Sequence, residues 1–467
     1  MLRGSTATVR ILAVIGGFSK VTSLGRDTLL VLVLGFTSRA DSVQIGIAYG
    51  ASIAGVVGTS LALAITPTVA AAPPVRAQQI TTRMARLLAY AVLFAFTCIA
   101  VIVASSLDDV AKTYLTLGLS GLFDAASVIA IGVAQGRRDF ALPALLVALN
   151  GTLFCAVVGG SLLLGRELST YFLALVIALE SGLIATLLLF RLLMAPPPDP
   201  RPLRMDEIEE AGAPAFRRRL VGAASSYSLT SLALILSRSL AASVPGGAAL
   251  LALAQRVVGI AASLILQPMH SVITPWLTQA SDIALVHTVI NRFLFAFTSL
   301  TATASLLMAI PWFSFSANTQ AVPAIAALLL LAVSGANFTA IALRQWLLES
   351  RQTVIVVAYG IYVAPFALMA LTDIRGPYAV AQAELLAQLL VLIFAARHSS
   401  LLSGTPGHRP VATLVAAGAM SLTGLLVVVQ PPPAVFIGLA VALFAASVKH
   451  SGSVVHIAQD LSPRRPW

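Results

Sequence analysis

Lys20, Arg26 and Asp27 interrupt the first apolar run of this sequence, Arg238 the seventh and Arg256 the eighth. A charge near the middle of a membrane helix costs about 2.5–3.5 kcal/mol, so each needs water, a counter-charge or an anionic ligand to face. Guanidinium groups offer a planar fork to phosphate oxygens and an ammonium offers a compact charge. The chemistry suggested is recognition of an anion inside a membrane. At 1.5 Å per residue, Arg26 lies roughly 15 Å and Arg256 roughly 12 Å from the outer ends of their helices. Lys20 lies close to mid-membrane. Arg238 is nearer the outer surface, where snorkelling outward is the alternative to facing a ligand. Neutralisation of Arg26 by Asp27 or Asp41 is the structural alternative. Lys20 and Arg256 have no acidic neighbour within a turn. Asp124, Glu180 and Glu384 stand singly in later apolar runs, where they are expected to act as helix-packing hydrogen-bond partners.

Catalytic patterns are missing. The sequence has no G-x-x-x-x-G-K-[ST], no G-x-G-x-x-G and no H-E-x-x-H, and the expected outer loops are too short to house a reaction, so the chain is not expected to be an enzyme. No cofactor or metal site is expected. Cys98 and Cys155 lie in apolar runs without metal-ligand neighbours and are expected to be reduced packing residues.

The elements that must position these charges are membrane helices. Of the 467 residues, 58% are hydrophobic and only 10% charged, against roughly 25% charged in soluble domains. Apolar blocks of about 20 residues match a hydrocarbon core roughly 30 Å thick. Fourteen spans are predicted, near 8–36, 41–71, 87–106, 113–135, 141–165, 170–195, 220–244, 248–279, 289–313, 321–348, 353–372, 377–396, 410–430 and 433–449. The first is expected to be a retained helix rather than a signal peptide, because Lys20, Arg26 and Asp27 follow its apolar start without a cleavage pattern. This is an all-α polytopic membrane protein. Its net charge of +11 is a topology signal, and no nucleic-acid partner is implied.

Charge fixes the orientation. With a cytoplasmic N-terminus, 21 of the 29 Lys and Arg residues fall in cytoplasmic segments, and only Arg39, Lys112, Arg166 and Arg375 in outer loops. Both termini are therefore expected to be cytoplasmic. Residues 196–219 form a Pro-rich, then acidic, then basic linker. The expected division is an N-lobe over 1–195, that linker, a C-lobe over 220–396, and two additional spans with a tail over 397–467. Residues 21–24 and 65–67 recur as 229–232 and 273–275 at a common offset of 208. Such an echo fits two pseudo-symmetric lobes around a central cavity, a repeat architecture found in transporters.

The first span carries Ser19-Lys20, Leu24-Gly25-Arg26-Asp27, a turn at Gly35, and Ala40-Asp41; the eighth follows Gly246-Gly247 with Ala254-Gln255-Arg256 and then Pro275. These residues resemble the S-R-x-x-G-x-x-R-D start and the eighth-helix pattern of the lipid II flippase (MviN-like) family. That family lies in the multidrug/oligosaccharidyl-lipid/polysaccharide exporter superfamily. The resemblance implies a flippase that moves a polyprenyl-pyrophosphate-linked glycan, a lipid II-like peptidoglycan precursor, across the bacterial inner membrane by alternating access. It implies diphosphate binding by Lys20, Arg26 and Arg256, with Arg238 a further candidate, and gating or structural roles for Asp27 and Asp41. Cell-wall or polysaccharide synthesis proteins are candidate partners beside the lipid bilayer. The family's charges on the second helix are replaced here by the uncharged stretch Ser52–Thr59. Spans 7 and 11 lack the acidic residues of the sodium site found in some members.

Three other functions fit the sequence less directly. A flippase for an exopolysaccharide or O-antigen repeat unit uses the same cations. A multidrug exporter favours acidic rather than basic cavity residues. A membrane glycan polymerase or ligase needs catalytic residues in a large outer loop.

Overall fold

The computed structural model describes residues 18, 21–70, 72–137, 139, 146, 149–194, 213–259, 297–309, 321–348, 351–399, 411–429 and 437–445. Lys20, residues 273–275 of the internal echo with Pro275, and residues 196–212 of the expected linker lie outside them. Fourteen helical segments occur among the described residues, one in each predicted span. They are α1 (21–34), α2 (Ser38–Ala70), α3 (Pro74–Ala104), α4 (Asp109–Gly136), α5 (Thr152–Leu163), α6 (Thr170–Met194), α7 (Ala213–Ala241), α8 (Gly247–Gly259), α9 (Phe297–Met308), α10 (Ala321–Leu348), α11 (Gln352–Leu371), α12 (Pro377–His398), α13 (Val411–Val429) and α14 (437–445). Seven of the described helices are long and apolar enough to cross a membrane.

The chain divides into two compact units, Met1–Arg256 and Val257–Trp467. In the first, α4 packs against α2, α3 and α6. Gly50 and Gly121 allow α2 and α4 to approach backbone to backbone: a Cβ on Gly121 would lie 2.7 Å from the Gly50 Cα. Small residues at such crossings serve where lipid, being as apolar as the side chains, offers no hydrophobic drive to pack. Around the crossing, Phe123, Ile129, Val133, Ala185 and Leu188 are buried together, and the Phe96 and Phe123 rings lie 4.6 Å apart. Helix α3 turns Leu87, Tyr90, Leu93, Phe94 and Val101 outward, each more than half exposed, as a lipid-facing surface requires.

Two helices depart from the continuous spans that were predicted. Helix α2 is α-helical to Ile53, takes a π-helical turn over Ala54–Thr59, and resumes from Ser60. The fifth span is interrupted: residues 149 and 150 form a turn, Gly151 takes φ +88°, and only then does α5 begin. Its first amides are met by the buried Glu180 of α6, whose Oε1 accepts from Leu153 N at 2.9 Å and Phe154 N at 3.4 Å. This carboxylate takes the place of the missing preceding turn. Thr22 of α1 pins the same break by donating to the Asn150 carbonyl at 2.9 Å. Helix α3 also extends well past its predicted start, and α7 begins at Ala213, so the end of the predicted linker is helical.

In the second unit α12 packs against α10, α11 and α13. Trp346 is fully buried, its ring 6.0 Å from Phe394, and its Nε1 donates to the His398 carbonyl at 3.3 Å. Tyr362 of α11 and Glu384 of α12 are hydrogen-bonded inside this packing.

Candidate functional site

Asp27 lies at the centre of the charged cluster of the first unit. It is 2% exposed and holds two arginines, one on each carboxylate oxygen. Arg26 Nε donates to Oδ1 at 3.3 Å, and Arg256 Nε donates to Oδ2 at 2.6 Å. The Arg26 side chain is nearly buried, whereas that of Arg256 is 36% exposed. Among the described residues, no partner is bonded to the terminal nitrogens of either arginine. The trio carries one net positive charge, and Arg256 presents it most openly.

Around Arg26 the surroundings are more acidic than the sequence suggests. Asp124, hydrogen-bonded to Ser181, and Glu180 both lie within its electrostatic reach. The expectation that Arg256 lacks an acidic neighbour holds along its own helix only, since α1 supplies Asp27 from 229 residues away. That pairing could not be read from local spacing.

Helix α8 is positioned at three points. Asp41, near the start of α2, accepts from Gly246 N at 2.7 Å through Oδ2, and from Ala248 N at 2.8 Å and Ala249 N at 3.1 Å through Oδ1. A carboxylate there satisfies amides that a helix start otherwise leaves unbonded and complements its dipole. Gly246 takes φ +80°, and a Cβ there would collide with the backbone of Phe36. Arg238 of α7 forms the second point, donating to the Ala248 carbonyl at 3.2 Å and to Gln255 Oε1. Asp27 holding Arg256 is the third.

Arg238 therefore does not snorkel. It is 9% exposed and spends its donors on the Ala248 carbonyl and the Gln255 amide oxygen of α8. Arg26, Asp27, Arg238, Asp41 and Arg256 are all brought into the first unit, while Lys20 falls outside the described residues. Glu180, expected as a helix-packing hydrogen-bond partner, bonds instead to the backbone amides at the start of α5, a capping role not foreseen from its position. The signal for it was Asn150-Gly151, a turn dipeptide in the middle of an apolar run.

The uncharged stretch of α2 proves to be its π-helical turn. There Ser231 of α7 donates to the Ser52 carbonyl at 3.4 Å, and a Cβ on Gly55 would lie 3.5 Å from Ser231 Oγ.

No protein-family profile and no curated protein sequence matches this chain. Among solved structures, it is similar to the lipid II flippase MurJ in an inward closed conformation, with a TM-score of 0.65 and 13% identity over 94% of this chain and 97% of that one. Weaker similarities, which carry no argument here, extend to a mutant of the Vibrio cholerae MATE transporter VcmN (TM-score 0.47, 14% identity, 92% and 98% covered) and to a MATE protein in complex with MaL6 (TM-score 0.45, 11% identity, 89% and 96% covered). With a helical segment in each of fourteen predicted spans and this similarity along nearly its whole length, the chain has the fold of the lipid II flippase MurJ.

Proposed function

We propose that this protein is a flippase that carries a polyprenyl-pyrophosphate-linked glycan, lipid II-like in its chemistry, across the bacterial inner membrane by alternating access, with both termini cytoplasmic. The observation that carries the proposal is Arg256. Its guanidinium sits in a membrane helix, one edge is held by the buried Asp27, and the rest is open enough to meet a ligand. A fork fixed along one edge is pre-oriented for phosphate oxygens. Arg26 on the other oxygen of Asp27 extends the same anion site, and Lys20 assists it. Asp27 stands in for the ligand's negative charge until a diphosphate arrives. Asp41 has a gating and structural role through α8. The fold shared with a lipid II flippase supports transport rather than covalent chemistry.

A fluorescent undecaprenyl-pyrophosphate-linked sugar in vesicles containing the purified protein tests this. Flipping is read by quenching of outer-leaflet probe. Arg256→Glu should abolish the protein-dependent rate and Arg256→Lys should retain part of it. Full-rate flipping by a well-inserted Arg256→Glu variant refutes the assignment.

The π-helical turn of α2 favours a second substrate within the same class. Where the resembled family carries charges, this chain presents Ala54–Thr59 without any. A head group with fewer charges than a peptide-bearing lipid II, such as an exopolysaccharide or O-antigen unit, suits that surface. Comparing probes with neutral and peptide-bearing glycans separates the two.

A further inference from the structure

Three buried acids of the first unit are held by charges or by backbone amides. Asp27 takes two guanidinium groups, Asp41 three backbone amides, and Glu180 the start of a helix. Each arrangement stabilises a fixed negative charge. Glu384 of α12 is different. The oxygen of the Tyr362 phenol lies 2.8 Å from Oε1 and 2.9 Å from Oε2, and Gln388 Nε2 donates to Oε1 at 3.3 Å. Both partners are neutral side chains.

A phenol has one proton and can also accept. Placed almost equally from both carboxylate oxygens, Tyr362 can donate to the ionised form or accept from the protonated one. Gln388 occupies Oε1, which leaves Oε2 as the oxygen to carry a proton. Loading then reverses one hydrogen bond and needs no rearrangement of the helices.

Among the described residues, no charge on the helices packed against α12 is paired with Glu384. Helix α11 meets it through Tyr362, near which Tyr359 lies, and contains no charged residue, and α13 contains no titratable residue. The one charged residue of α10 is Arg344. Gly335 of α10 packs against Gln388, a register that sets Arg344 about 20 Å along the helix from the level of Glu384. On α12 itself, Tyr378 lies toward the start, and Arg397 and His398 lie in the last turn.

We propose that Glu384, Tyr362 and Gln388 form a reversible proton-binding site within the second unit, with H+ as its ligand, and that loading alters the bond joining α11 to α12. Deprotonation leaves an ionised acceptor and a strong Tyr362–Glu384 bond, whereas protonation leaves a weaker neutral pair. Pro365, within α11 and one turn beyond Tyr362, removes a backbone bond there and provides a place for the helix to bend. The site does not depend on the lipid proposed above.

Infrared difference spectra of the full-length protein in lipid vesicles, acid minus alkaline, test the site without any transported substrate. The chain has 18 Asp and Glu residues, so the signal is the component of the protonated-carboxyl C=O band, shifted in deuterated buffer, that differs between the wild type and Glu384→Gln, which keeps the shape of the site. That component should be lost in Glu384→Gln and move in frequency in Tyr362→Phe. An unchanged band in a folded Glu384→Gln variant overturns the proposal. If that variant does not insert, Tyr362→Phe decides, and an unmoved band again overturns it. If the hydrogen bond is purely structural and Glu384 does not titrate, the spectrum keeps only the bands of the other carboxyl groups, unchanged by Glu384→Gln, and the proposal is overturned.

Discussion

Asp41 closes the start of α8 by accepting from Gly246 N at 2.7 Å, joining residues 205 positions apart. The same carboxylate serves Ala248 and Ala249, so two distant helices share one hydrogen-bonded terminus. Replacing it with Ala would leave three amides without that acceptor. Asp41→Ala should lower stability by about 1.5–3 kcal/mol, the range for a bond to a charged group, and Asp41→Asn by less. Gly246→Ala should be at least as harmful, since it adds a side chain at positive φ against Phe36. Thermal unfolding of the purified protein in detergent measures all three.

The two arginines on Asp27 should respond unequally. Losing the acid strands Arg26 in a buried position, and breaking a buried pair in this way costs about 3–5 kcal/mol. Arg256→Ala should cost less, because Asp27 keeps Arg26 and the Arg256 side chain is already partly open. Arg238→Ala should destabilise by about 1–3 kcal/mol, as its bonds to Ala248 and Gln255 are lost. Denaturation midpoints of the three variants check the order, with Asp27→Ala the most damaging.

Transport is expected to proceed without sodium. Helices α7 and α11 contain no Asp or Glu, and hard cations favour oxygen ligands that include negative charge. Flipping in vesicles with sodium replaced by potassium should continue at a comparable rate. A large loss would reject this.

Residues 196–219 and the C-terminal tail should face the cytoplasm, and Asp373 and Pro432 the outside. Single cysteines at Met205 and Asp373 test the orientation after Cys98 and Cys155 are replaced. An impermeant reagent applied to intact cells should label position 373 and spare 205. At Cys155 a small residue is the better choice, as its sulfur lies 3.7 Å from the Thr22 carbonyl beside the break before α5.

The helices were legible because a membrane forces apolar runs of fixed length, and each predicted span holds a helical segment. The breaks within them were less legible. Composition does not change at the π-helical turn of α2, and Gly151 was one glycine among 32. Of the candidate site, the charges announced themselves by their cost in lipid, but their partners did not. Asp27 meets Arg256 across 229 residues and Glu180 meets Leu153 across 27, pairings that only tertiary packing sets. Arg238 is a related case. Its depth suggested reach to the surface, while the carbonyl that captures it belongs to another helix.

The π-helical turn of α2 also sets the rotational phase of everything after it. One extra residue in a helix turns the following segment by about 100°. Downstream, Thr66 donates to the Gly132 carbonyl of α4 at 3.0 Å, and Gly132 fits closely against Ala62. Deleting Val56 or Val57 would let the helix run on without the bulge and swing Ala62 and Thr66 away from α4. In this part of the chain the number of residues matters as much as their identity. Point substitutions that keep a small, apolar surface should be absorbed, whereas a one-residue gain or loss should unseat the half of the helix that follows the turn.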